Sequence, residues 1–166
     1  MSWIRSIGVR LRSQRGLTLV ELASVSAIII IMASVTYPVA NTMVKRQKEL
    51  ELRRALRTIR TALDRFQHDT ERFPGIRVQY LDRTNEEGYP QELKWLYEGI
   101  DIGDAAGTTI KYLRRLPLDP ITGLAEWDTR SSRDDPKSMF SDGINIFDVR
   151  STSEKVGLDG TRYNTW

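Results

Sequence analysis

Between Leu17 and Ala40 the chain is apolar with few interruptions, and Glu21 is the one formal charge in those 24 residues. At about 1.5 Å per residue, such a run is long enough to cross a bilayer as a helix. Further on the pattern changes. Leu52, Ala55, Leu56, Ile59, Ala62, Leu63 and Phe66 recur at spacings of three and four, the period of a helix that buries one face. Lys45, Arg46, Lys48, Arg53, Arg54, Arg57 and Arg60 fall mostly off that face. Together the two patterns predict one helix over residues 17–68. Pro38 should kink or loosen it, because proline removes one backbone donor. Ser24, Ser26 and Ser34 are tolerable in the apolar half, since a hydroxyl can bond back to a carbonyl one turn earlier. Ala23, Ala27 and Ala33 are small enough to let helices approach closely.

Arg72-Phe73-Pro74-Gly75 predicts the end of the helix, because Pro and Gly together break it. Residues 90–97 read as a short helix with Leu93, Leu96 and Tyr97 on one face, and residues 99–108 as a loop. Pro117 and Pro120 fix φ and block a helix, so a rigid extended passage is expected there. Residues 126–130 and the alternating stretch 144–151 read as strands, with a polar loop over 131–141. Trp127, Tyr163 and Trp166 are expected to pack in a core or against a loop.

The net charge of +3 hides an asymmetry. Arg5, Arg10, Arg12 and Arg15 precede the apolar run with no acid among them, which predicts a cytoplasmic N-terminus. Residues 41–65 carry eight basic and three acidic side chains, whereas residues 66–166 carry 13 basic and 18 acidic ones. The basic part is thus a helical stalk and the remainder is acidic, which gives no case for nucleic-acid binding. The basic face reads equally as solvated surface or as a match for lipid headgroups or an acidic neighbour. The chain has no cysteine, so no disulfide can staple it and a core or a metal must hold it.

Nothing in the sequence points to an enzyme. His68 is the one histidine, and neither a Gly-rich phosphate loop after a strand nor a Gly-x-Ser-x-Gly nucleophile turn is present. Asp134-Asp135 precede Pro136 and read as a loop. Glu21 is the sharper residue. A carboxylate inside an apolar helix costs about 2.5 to 3.5 kcal/mol and demands a partner or a route to the interface.

The block Arg15-Gly16-Leu17-Thr18-Leu19-Val20-Glu21-Leu22 resembles the leader of type IV pilins and type II secretion pseudopilins. In a secretory signal peptide the cleavage site follows the apolar segment, whereas here Gly16 precedes it. Leu17 stands where the commoner residue is Phe, and Pro38 sits where many pilin helices carry a proline. The resemblance implies cleavage between Gly16 and Leu17 by a prepilin peptidase, N-methylation of Leu17, and assembly roles for Thr18 and Glu21. In assembly, Glu21 would meet the new amine of Leu17 in a neighbouring copy. The implied fold is α+β and pilin-like, a long N-terminal helix packed on a small antiparallel sheet. Residues 1–16 would be the leader, 17–40 the transmembrane and assembly half of the helix, 41–68 its amphipathic half, and 69–166 the head.

Two further passages narrow the likeness. Asp69-Thr-Glu-Arg-Phe-Pro is similar to the Gly-Arg-Tyr-Pro exit from the helix of major pseudopilins. Tyr112-Leu-Arg-Arg-Leu-Pro-Leu-Asp-Pro is very similar to a passage of the G-type subunits. Those subunits bind calcium in a C-terminal loop, and calcium takes six to eight oxygens from carboxylates and carbonyls. The matching donors here would be the Glu154 and Asp159 side chains with the carbonyls of Val149, Ser151 and Ser153. Glu154 replaces the family's Asp, and Lys155 replaces a Gly. The resemblance implies a subunit of a periplasmic pseudopilus that drives export in a type II secretion system. It would be held by one span in the inner membrane, with its head in the periplasm. Its partners would be the prepilin peptidase, copies of itself, minor pseudopilins and the inner-membrane platform. The alternatives are a pilin of an extracellular type IV pilus and a membrane-anchored binding protein that does not polymerise.

Overall fold

The computed structural model describes residues 16–135, 138 and 140–166. The expected leader therefore lies, apart from Gly16, outside the described residues. The chain divides into two compact units, one up to Thr42 and one over Met43–Trp166. Helix α1, Leu19–Arg72, supplies residues to both. Short helices α2 (Pro74–Tyr80) and α3 (Lys94–Glu98) follow, then strands β1 (Ile100–Asp101), β2 (Thr109–Ile110), β3 (Trp127–Arg130) and β4 (Asp148–Ser151). A 3-10 turn at Tyr163–Thr165 completes the described elements. The class is α+β.

In the first unit the helix is bare. Its most apolar 18-residue window has a mean hydropathy of 2.2 and none of it is buried, so it is long and apolar enough to cross a membrane. Ser24 donates its hydroxyl to the Val20 carbonyl at 2.7 Å and Ser34 to that of Ile31 at 2.7 Å. These polar groups are satisfied inside the helix, as an apolar surrounding requires. The helix continues through Pro38.

The second unit holds the core. All seven residues of the predicted stripe, Leu52 to Phe66, are buried. They pack with Ile76, Leu96, Ile100, Leu113, Trp127, Ile146, Val149 and Tyr163. Phe66 stacks on Trp95 with ring centroids 6.3 Å apart and tilts against Tyr112 at 5.6 Å. The expectation for the aromatics holds: Trp127 and Tyr163 are buried and Trp166 packs against the core.

Several boundaries differ from the sequence expectation, each for a local reason. α1 runs to Arg72 instead of His68, since Pro74 is the first residue that cannot continue it; the Phe73 N–H still donates to the Asp69 carbonyl at 2.8 Å. Pro74 then opens α2, because proline suits the first position of a helix, where no donor is needed. Gly75 is required there, as a Cβ would stand 2.5 Å from the Ile102 carbonyl oxygen. The helix expected over 90–97 is α3, shifted to Lys94–Glu98. The expected loop 99–108 contains β1, which pairs antiparallel with β2. The expected strand 144–151 shortens to β4, because the Ile146 N–H donates to the Pro90 carbonyl at 2.7 Å instead of a ladder partner. A single small sheet was expected, and the described strands form two two-stranded sheets, β1–β2 and β3–β4. Pro117 and Pro120 lie between them, in a passage that lacks those ladder donors.

Truncating a large aliphatic side chain of the stripe should cost far more than trimming an exposed one. Leu63→Ala is expected to lose about 2–5 kcal/mol in chemical denaturation of the full chain in micelles. Val78→Ala, at an exposed position on α2, is expected to stay within about 0.5 kcal/mol of the parent.

Candidate functional site

The start of α1 is built by the residues that the leader motif singles out. Thr18 is the N-cap: its Oγ1 accepts the Glu21 N–H at 3.2 Å, and its carbonyl accepts the Leu22 N–H at 3.0 Å. Thr-Leu-Val-Glu has the spacing of a capping box, in which the first residue satisfies an orphan donor of the third helical residue. Gly16 and Leu17 lie ahead of the cap, outside the helix, and both are exposed. The Gly16–Leu17 peptide bond therefore lies in accessible, non-helical backbone. Glu21 is exposed in the first turn of α1. A carboxylate is favourable there because of the partial positive charge of the helix N-terminus.

A second constellation joins α1 to the C-terminal segment. Glu49 is 8% exposed, and its Oε1 accepts the Leu158 N–H at 2.7 Å and the Tyr163 hydroxyl at 2.9 Å. Arg60 makes a forked contact. Nε donates to Asp148 Oδ1 at 2.6 Å, and Nη2 donates to Asp148 Oδ2 at 3.4 Å, to the Val149 carbonyl at 3.1 Å and to the main-chain oxygen of Trp166 at 3.1 Å. Arg53 lies over the Trp166 ring, 4.4 Å from its centroid, and 3.7 Å from Asp159 Oδ2. Glu49, Arg53 and Arg60 stand four and seven residues apart, so one helix face presents all three. Burial, then the hydrogen bond to Glu49, pushes the Tyr163 phenol up to about 12. The Thr161 hydroxyl and N–H, and then Arg53, hold the Asp159 carboxyl below its ordinary value.

Of the five expected calcium donors, two already have protein partners. The Val149 carbonyl accepts from Arg60. Asp159 Oδ1 accepts from the Thr161 N–H at 2.9 Å and its hydroxyl at 2.7 Å, while Oδ2 faces Arg53. At Ser151, where the carbonyl is the expected donor, it is the hydroxyl that donates to Asp119 Oδ2 at 2.5 Å and accepts from the Ser153 N–H. Ser153 is buried and Glu154 exposed. Among the described residues no group of three or more His, Cys, Asp or Glu is placed to hold a metal ion. The Val149 carbonyl accepts from a guanidinium, whose positive charge opposes a divalent cation on the same oxygen.

Sequence reasoning gave no role to Glu49, Arg60 or Asp119. Glu49 lies three residues before Leu52 and seven before Leu56, so a charged residue at a core-facing position was its signal. Asp119 is fully buried. Its Oδ1 accepts the Ile121 N–H at 2.7 Å and shapes the turn at Pro120, while Oδ2 takes the Ser151 hydroxyl and fixes β4 to that turn. Asp134 accepts N–H bonds from Ser131 and Asp142 and closes its own loop. His68 is exposed on α1.

No family model, curated protein or solved structure matches the chain.

Glu49→Ala leaves the Tyr163 hydroxyl and the Leu158 N–H without their acceptor, at an expected cost of about 1–3 kcal/mol in thermal or chemical unfolding. The same change should lower the alkaline titration point of Tyr163, read as the phenolate signal lost in Tyr163→Phe. Because folding raises that phenol, its contribution is complete below the ordinary tyrosine value. It is lost as pH rises through about 12, so the parent should lose stability in that window.

Proposed function

We propose that this chain is a pilin-like subunit of a type II secretion pseudopilus. It is stored in the inner membrane with its head in the periplasm. A prepilin peptidase cuts it after Gly16, Leu17 is methylated on its new amine, and copies assemble through their apolar helices. The observation that carries this reading is the block Gly16-Leu17-Thr18-Leu19-Val20-Glu21 placed at the mouth of a bare apolar helix. Accessible backbone at Gly16–Leu17 suits a peptidase, and the Thr18 cap keeps the helix start defined once residues 1–16 are gone.

The chemistry of Glu21 gives cleavage a consequence beyond trimming. A lone carboxylate is costly in an apolar surrounding. Cleavage creates an ammonium at Leu17, and the carboxylate of one copy can pair with the amine of another. A charge pair of this kind is strong only where water is excluded, as between helices packed in a membrane or a filament. The bare helix supplies the packing surface, and the core around Leu52–Phe66 carries the head. Motive force would come from a cytoplasmic ATPase acting through the inner-membrane platform.

Glu21→Ala separates assembly from folding. The variant is expected to abolish recovery of filaments and of cross-linked copies from cells, while the detergent-solubilised chain melts like the parent. Filaments formed in parental yield by Glu21→Ala would overturn the proposed pairing. Thr18→Ala is expected to cost about 1 kcal/mol of helix stability through the lost cap, read as reduced helicity of a peptide covering residues 17–40.

A further inference from the structure

We infer that Arg60 and Arg53 are the resident cations of the C-terminal segment, and that they order it without a divalent metal. The inference concerns residues 148–166 and the helix that faces them, and it does not rest on the membrane or filament reading. Its basis is where the oxygens point. Arg60 gathers four of them, both carboxylate oxygens of Asp148, the carbonyl of Val149 and the main-chain oxygen of Trp166. These come from two stretches of backbone well apart in sequence, the start of β4 and the end of the chain's 3-10 turn. Joining such stretches through oxygen donors is the work a calcium ion does in a loop. A planar guanidinium with five donors can do the same work and needs no vacant coordination site.

Arg53 completes the arrangement on the exposed side. Its charge faces Asp159 at 3.7 Å, and its guanidinium covers the Trp166 ring at 4.4 Å. Trp166 in turn donates its indole N–H to the Thr161 hydroxyl at 2.6 Å and meets Tyr163 edge to face at 5.0 Å. Glu49 takes the two donors of this segment that neither arginine can satisfy. Both signs of charge are thus supplied by side chains of α1. A divalent ion entering here would have to displace Arg60 from Val149 or Arg53 from Asp159.

The test uses the full chain in detergent micelles, melted with added calcium chloride and with a chelator, and digested by trypsin. The parent is expected to melt at the same temperature in both, with equal cutting after Lys155 and Arg162. Arg60→Gln is expected to melt lower by about 3–6 °C, the shift that losing about 1 kcal/mol produces in a unit of this size. It is also expected to be cut several-fold faster at Lys155. Should Arg60→Gln not fold, Arg60→Lys carries the comparison, since a single ammonium cannot bridge Asp148, Val149 and Trp166 together. A saturable rise in the parent's melting temperature with calcium would overturn the inference. So would an arginine variant that melts and digests like the parent.

Discussion

One helix carries two surfaces of different chemistry, and the rest of the structure follows from that. The first part of α1 exposes apolar side chains along its whole circumference, which is stable only in lipid or against other apolar helices. The second part buries one stripe and leaves its other faces to water. The change occurs without a break in the helix, so side-chain chemistry alone marks it. Thr18 starts the helix and Pro74 stops it; apart from the two ends and the bond lost at Pro38, the backbone between them can pair within the helix.

The second unit is assembled on the stripe of α1 by two kinds of contact. Leu52, Leu56, Ile59, Leu63 and Phe66 contribute burial, which is large and has little directionality. Glu49 and Arg60 contribute direction, because each fixes a particular donor or acceptor in the C-terminal segment. Asp119 plays the matching part on the opposite side of β4, where it joins the Pro120 turn to Ser151. Such buried and half-buried polar contacts add little net stability when complete, yet cost more when one partner is missing. They therefore select one arrangement of the short, irregular segments that two small sheets cannot define by themselves.

The helix and its buried face were legible because both rest on period and composition. Leu52 through Phe66 repeat at three and four, and all seven are buried. The strands were less legible. Ile144 to Phe147 alternate like a strand, but Ile146 gives its N–H to Pro90 and Asn145 spends its side chain on Ser131 and Ser132. α2 was hidden because Pro74 reads as a stop signal and serves here as a start. The polar contacts were hidden for a different reason: Glu49 meets Leu158 across 109 residues and Arg60 meets Asp148 across 88, separations no local pattern reports. Only the misfit of a carboxylate on the apolar face pointed to Glu49.

Assembly through Glu21 depends on an event at one peptide bond. Thr18 and Glu21 have local structural roles at the helix start whether or not the chain is processed. Pairing of Glu21 with a neighbouring amine requires Leu17 to become the first residue. The intact mass of the protein extracted from its native membrane tests this directly. The expected mass is that of a chain beginning at Leu17 and carrying one additional methyl group. A chain that retains residues 1–16 would contradict the proposal, and the molecule would then be a membrane-anchored head with no charge partner created for Glu21.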